Sequence, residues 1–353
     1  MFALSRHFSY QLPHPSLLPL GCLAVAIGFV VCWSSGFVGS RLGVELDTPV
    51  LALYAWRFAL ATLLVAGWWI LRARRNGRQI VAPLDLAADA LVGSLTVGVY
   101  LLAMLLAIEQ GVSTGLASLI GALQPLAAIT LAGWWLGERS RPLQWLGMTV
   151  ATLGAGLSVL DDMQGVGGAP AWSYGLPLLA VVAVTLGSVM TARRPTSLPL
   201  EARLTAQLAA ATVVFFAAAW GLDEGRVAPP PLTTDSVMAL VWLIVLATFG
   251  GYGFFNASLQ RFGVGRSAAL IALTPAATLG WTALMFGELP GWLGTFGMTL
   301  GLLGAIVALL AGRRQSPSGH KTTTTASRRV RPYAGRSGPR RRAPAARHAP
   351  RTW

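Results

Sequence analysis

The chain keeps returning to uninterrupted apolar stretches of about 18 to 24 residues, separated by short polar turns. Each stretch is long enough to cross a hydrocarbon layer roughly 30 Å thick as a helix, which closes its own backbone hydrogen bonds as lipid demands. Only 11% of the residues are charged and the mean hydropathy is +0.60, against roughly 25% charged in a soluble domain. A water-soluble fold is excluded on that ground.

Charges, prolines and glycine clusters divide the apolar sequence into ten predicted spans, near 18–38, 50–71, 87–108, 114–136, 143–160, 174–192, 204–221, 237–259, 267–286 and 292–311. The formal charge of +14 does not point to nucleic acid, because 12 basic residues and no acid lie from Arg313 onward. That segment, rich in Arg, Pro, Ser and Thr, cannot bury a core, so 312–353 is expected to be a disordered cytoplasmic tail that lies on anionic lipid. With the N-terminus inside, alternate loops carry 12 arginines on the cytoplasmic side and two, Arg41 and Arg226, outside. Positive residues favour the cytoplasm, so both termini are expected there, in a multi-pass cell (inner) membrane protein with residues 1–17 preceding the first span. Cys22 and Cys32 are about 15 Å apart along one helix, too far for a disulfide.

Laying the chain on itself at an offset of 150 uncovers a repeat. Ala122-Leu123-x-Pro125 matches Ala272-Leu273-x-Pro275, Gly137-Glu138 matches Gly287-Glu288, and Gly147-Met148-Thr149 matches Gly297-Met298-Thr299. Leu153-Gly154-Ala155 likewise matches Leu303-Gly304-Ala305. A shift of two residues extends the match backward, pairing Gly98, Tyr100 and Gly111-Val112 with Gly250, Tyr252 and Gly263-Val264. Two apolar helices alike by chance would not keep Pro, Gly and Glu in register. The repeats are assigned to 18–160 and 174–311, and five spans in each forces them to face opposite ways. Inverted repeats belong to secondary transporters, whose halves exchange conformations to change the side of access.

The Tyr, Gly-Val, Pro, Gly-Glu and Gly-rich order in both halves resembles the EamA-type family of the drug/metabolite transporter superfamily, over about residues 18–311. The resemblance implies an all-α integral membrane protein of ten transmembrane helices as a 5+5 inverted repeat. It also implies a central cavity and transport of a small organic metabolite, such as an amino acid or drug-like cation. The pattern names no solute.

Several side chains are candidates for solute contact. Arg57 is the one charge well inside a predicted span, where a cation is costly unless it faces a cavity or a partner. It either anchors a carboxylate or phosphate, or serves structure by snorkelling or by pairing with Glu109. Tyr252, Asn256 and Gln260 share one helical face, as cavity lining or as interhelical hydrogen-bonding groups, and Tyr100 shares the reading through its alignment with Tyr252. Trp33 can stack on a solute. Gln124 and Thr274 precede Pro125 and Pro275, mid-span prolines that either kink helices for gating or only help the bundle pack. Glu109, Glu138 and Glu288 are candidates for ion coupling, with interfacial ion pairs as the alternative. The Gly-rich fifth and tenth spans are expected at a contact between halves or subunits, so a homodimer is admitted.

Enzymatic chemistry has no support. All four histidines lie outside the spans, no nucleophile–base or metal-ligand set converges, and no phosphate-binding Gly-rich loop is present. Neither a metal nor a cofactor is expected; the partners are the solute and the bilayer, without nucleic acid. A channel or a structural membrane protein remains the alternative.

Overall fold

The computed structural model describes residues 20–46, 48–76, 81–136, 142–164, 168–194 and 198–312. Among them there is no strand; the chain is helical nearly throughout. The helices are α1 (Leu20–Val44), α2 (Val50–Asn76), α3 (Pro83–Gly93), α4 (Tyr100–Glu109), α5 (Thr114–Gly121), α6 (Gln124–Leu136) and α7 (Pro142–Gln164). There follow α8 (Gly175–Arg193), α9 (Leu200–Leu222), α10 (Thr234–Val241), α11 (Gly251–Ile271), α12 (Thr274–Phe286) and α13 (Trp292–Gly312). Two π-helical segments, π1 (Ser94–Val99) and π2 (Trp242–Gly250), join α3 to α4 and α10 to α11.

Seven helical runs among the described residues are long and apolar enough to cross a membrane: Leu20–Val44, Val50–Arg75, Pro83–Glu109, Pro142–Gln164, Ala171–Thr191, Leu200–Leu222 and Thr234–Phe262. Large apolar side chains such as Leu63, Leu64, Trp68, Leu153 and Val213 project outward from them. Water would drive such residues inside, whereas lipid tails accept them, so the bundle is a multi-pass membrane protein.

Each of the two prolines follows a short interruption of its helical run, at Ala122–Leu123 and Ala272–Leu273, so that Pro125 and Pro275 stand in the first turn of α6 and α12. There the missing N–H costs nothing, because the first turn has no intrahelical acceptor for it. Near residues 260–266, where the sequence predicts a separation of spans, helical geometry continues within α11. Even so, the Ser258 hydroxyl donates to the Ser267 hydroxyl at 2.9 Å. A straight helix would hold residues nine apart about 13.5 Å away along its axis, so the chain folds back between them.

The closest helix pairing joins α7 to α13, and it is reciprocal. A Cβ built on Gly147 would come within 2.8 Å of the Gly304 carbonyl, and one on Gly154 within 2.5 Å of the Gly297 carbonyl. Adding 150 to one partner of each pair and subtracting it from the other converts one contact into the other. Position rises along α7 as it falls along α13, so the two helices run antiparallel. Lipid gives apolar helices no solvophobic reason to associate, so backbone contact through small residues supplies the attraction. Farther along the bundle the hydroxyls of Thr62 and Thr212, again 150 apart, meet at 3.4 Å.

Candidate functional site

A cavity of about 320 Å³ lies between the two repeats. It is at the small end of the range for ligand pockets, roughly 300–1,000 Å³, and suits one solute of amino-acid size. Of the residues singled out from sequence, Trp33, Arg57, Tyr100, Gln124 and Tyr252 line it, while Asn256 and Thr274 do not. The Asn256 amide folds back to the Tyr252 carbonyl of its own helix, at 2.7 Å. Thr274 is buried at the start of α12, where its hydroxyl has no hydrogen-bond partner among the described residues.

Arg57 is carried by α2 and is only 3% exposed, so it does not snorkel to a surface. Its guanidinium stacks on the rings of Tyr54 and Phe58, at 4.9 and 4.7 Å from their centroids, contacts that partly compensate a desolvated cation. Nε and one terminal nitrogen both donate to the Thr248 hydroxyl, at 3.2 and 2.9 Å. Thr248 belongs to π2, and it donates in turn to the Leu243 carbonyl at 2.9 Å. The extra residue of a π-turn thus delivers a hydroxyl whose lone pairs face the guanidinium. Such turns occur often at functional positions.

No carboxylate among the described residues lies within ion-pairing distance of Arg57. The pairing with Glu109 that the sequence allowed is not formed; Glu109 is exposed at the end of α4. Arg57 is therefore a fixed cation on the wall of a half-open, mostly apolar cavity, with a neutral hydroxyl and two ring faces as its partners among the described residues. That arrangement favours an anionic group, because a planar guanidinium offers paired donors to a carboxylate.

The aromatic wall is built by α1 and α11. Trp33 packs against Phe255 at 5.4 Å and meets Tyr252 edge-on at 6.4 Å between centroids. Sequence reading missed Ser188, Thr191, Gln207 and Thr96, all of which also line the cavity. One signal was available for Gln207: it stands 150 residues after Arg57.

The candidate coupling acids lie elsewhere. Glu288 pairs with Arg41 at 3.2 Å, beside a second cavity of about 230 Å³ that also holds Asp161 and Asp162. Asp162 accepts from the Ser113 amide at 3.2 Å and the Tyr174 hydroxyl at 3.0 Å, and Asp161 from the Gly291 amide at 3.0 Å. Each of the three carboxylates thus has a partner that ties helix ends together. Glu138 lies outside the described residues.

Residues 20–160 and 171–310 each match the EamA-like transporter family. The chain is 29% identical over 276 residues to a protein of Escherichia coli (strain K12) described as "Probable amino-acid metabolite efflux pump", an alignment that covers 76% of this chain and 87% of that protein. It is 27% identical over 297 residues to "Probable terminal-alkyne amino-acid exporter" of Streptantibioticus cattleyicolor, covering 82% of this chain and 94% of that one. A solved crystal structure superposes with a TM-score of 0.56 over 84% of this chain and 99% of its own, at 18% identity, a likeness of fold.

Proposed function

Because the chain belongs to the EamA-like transporter family, we propose that it is a secondary carrier exporting a small carboxylate-bearing solute, an amino acid or a close derivative, by alternating access of two inverted halves. The observation that carries this reading is the guanidinium of Arg57, without a counter-ion among the described residues, on the wall of a cavity of amino-acid size. The names of both relatives agree with it. On this reading Trp33, Tyr100, Gln124 and Tyr252 surround the rest of the solute.

Ten passes in two opposed sets of five account for more than the seven long helices do. The shorter apolar segments Thr114–Ala128 and Trp292–Ala308 supply two further crossings, and the reversal between Ser258 and Ser267 supplies the last. The reciprocal α7–α13 seam and the Thr62–Thr212 contact support a two-fold relation between the halves, and repeats so related sit inverted when each has an odd number of passes. With the arginine-rich turns inside, both termini are cytoplasmic in the inner membrane. Glu109 and Glu288 have no place at the solute cavity in this scheme.

The test is counterflow in proteoliposomes. Vesicles preloaded with each of the common L-amino acids in turn are given a trace of the same labelled compound, and at least one should be drawn in against its concentration, saturably. Amino alcohols, which lack the carboxylate, should not compete. Saturable transport confined to solutes without a carboxylate would overturn the reading, and flux that never saturates and shows no counterflow would mark a channel instead.

A further inference from the structure

Two polar parts of the cavity wall differ in what they offer a solute. At one, the Arg57 guanidinium supplies N–H donors and has no lone pair with which to accept. At the other, α3 with π1, α8 and α9 are packed together: a Cβ on Gly93 would strike the Cα of Gln207, and one on Gly187 the methyl of Thr96. These contacts gather Thr96, Ser188, Thr191 and Gln207 along the cavity wall. Position rises along α2 as it falls along α9, since Thr62 meets Thr212 while Tyr54 and Phe58 stack on Phe215 at 5.2 and 5.3 Å between centroids. Arg57 stands five residues before Thr62, and Gln207 five before Thr212. Each is therefore about 7.5 Å from the helix crossing along its own axis, on opposite sides of it.

The donors of the second wall are already engaged. The Thr96 hydroxyl donates to the Val92 carbonyl at 2.9 Å, Ser188 to Val184 at 2.7 Å and Thr191 to Gly187 at 3.0 Å. A hydroxyl has one hydrogen and a carbonyl can only accept, so each of the three keeps nothing but lone pairs for the cavity. The Gln207 amide nitrogen donates to Asp89 of α3 at 3.4 Å. Asp89 is 5% exposed, and the same carboxylate oxygen accepts from Arg203 at 3.3 Å. A carboxylate only accepts, so Asp89 fixes which end of the amide faces it. The Gln207 carbonyl oxygen, which meets no donor among the described residues, is left for the solute.

We propose that Gln207, Thr96, Ser188 and Thr191 form an ammonium subsite, with Asp89 as its positioning residue, and that the carrier therefore selects zwitterions over simple carboxylates. An ammonium has donors and no acceptor, the complement of a wall whose own hydrogens are engaged. A carboxylate at Arg57 and an ammonium at the second wall use both parts of the cavity at once. A carboxylic acid with hydrogen in place of the ammonium leaves the acceptors unpaired, and a site built to bond an N–H rejects an analogue lacking it more strongly than apolar contact can. The reversed pose is refused as well, because it sets a carboxylate against lone pairs and an ammonium against a guanidinium. The solute is thus held in one orientation. This assignment rests on the carrier reading of the same cavity.

The experiment reconstitutes the full chain in proteoliposomes. Counterflow of each labelled common L-amino acid is competed with the same amino acid unlabelled and with its des-amino carboxylic acid. In wild type the carboxylic acid should compete roughly tenfold more weakly or worse. Gln207→Leu should bring the two competitors within about threefold of each other, by weakening the amino acid while leaving the carboxylic acid as potent as before. Thr191→Val keeps the side-chain shape and breaks no bond between helices, and it should narrow the gap in the same way. So should Asp89→Asn, whose amide can donate as well as accept and so lets Gln207 turn over. The subsite is overturned if wild type takes both competitors alike, or if Gln207→Leu and Thr191→Val weaken both in equal proportion or weaken neither. Wild-type protein without saturable counterflow of any amino acid overturns the carrier reading itself.

Discussion

Arg57→Ala is expected to raise the concentration of amino acid needed for half-maximal transport by roughly 10- to 150-fold, the equivalent of the 1.5–3 kcal/mol that hydrogen bonds to a charged group contribute. Membrane insertion should be unaffected. The guanidinium is buried, with the Thr248 hydroxyl and two ring faces as its partners, so its removal takes away a desolvated charge and breaks no ion pair among the described residues. Arg57→Lys should recover only part of the loss, since an ammonium keeps the charge but not the planar fork or the stacking on Tyr54 and Phe58. The amino alcohol of the same side chain serves as the internal reference. Its failure to compete should be the same in wild type and in Arg57→Ala. Equal amino-acid transport by well-expressed Arg57→Ala and wild type would remove Arg57 from solute recognition.

The second large effect falls on the seam between α7 and α13. A Cβ at Gly154 would lie 2.5 Å from the Gly297 carbonyl and closer still to the Gly301 amide, and both are backbone atoms that cannot swing aside. Gly154→Ala therefore forces two helices apart along a seam held by close backbone approach, at a cost of about 1–3 kcal/mol by analogy with overpacked cores. Two positions along the same helix, a Cβ at Gly156 meets nothing within 4 Å. Gly156→Ala should be neutral or stabilising by up to about 1 kcal/mol, through the lower entropy of alanine in the unfolded chain. Melting of both variants in detergent, followed by size-exclusion chromatography, should shift in opposite directions. A common shift would mean that the seam does not depend on glycine contact.

These two sites differ in how they could be read from sequence. Gly147, Gly154, Gly297 and Gly304 stand in register across the repeat in the sequence itself, and a shared offset is what a reciprocal interface requires. Arg57 stood out because no other charge lies so deep in a span. Asn256 and Thr274 were less legible: sharing a face with Tyr252, or following the aligned Gln124, does not say which way that face turns. In the fold Asn256 satisfies its own helix, and Thr274 is buried away from the cavity although the aligned Gln124 lines it.

Thr96, Ser188 and Thr191 carried no warning, because small hydroxyls inside a span commonly bond to the preceding turn, and all three do so here. Only packing reveals that they also border a cavity. The π-segments were equally hidden. Their sequences read as ordinary apolar helix, with nothing in composition to mark an extra residue per turn. Gln207 was within reach of the repeat offset, although the strong matches lie in the later spans of each half and leave α2 and α9 with little obvious similarity.

Everything about the cavity presupposes that the two repeats lie upside down with respect to each other in the bilayer. Single cysteines at Ser140 and Leu289, placed in a chain with Cys22→Ser and Cys32→Ser, test this with a membrane-impermeant maleimide applied to intact cells and to inside-out vesicles. The account predicts that Leu289→Cys labels only in cells and Ser140→Cys only in inside-out vesicles; labelling of both from one side would contradict it.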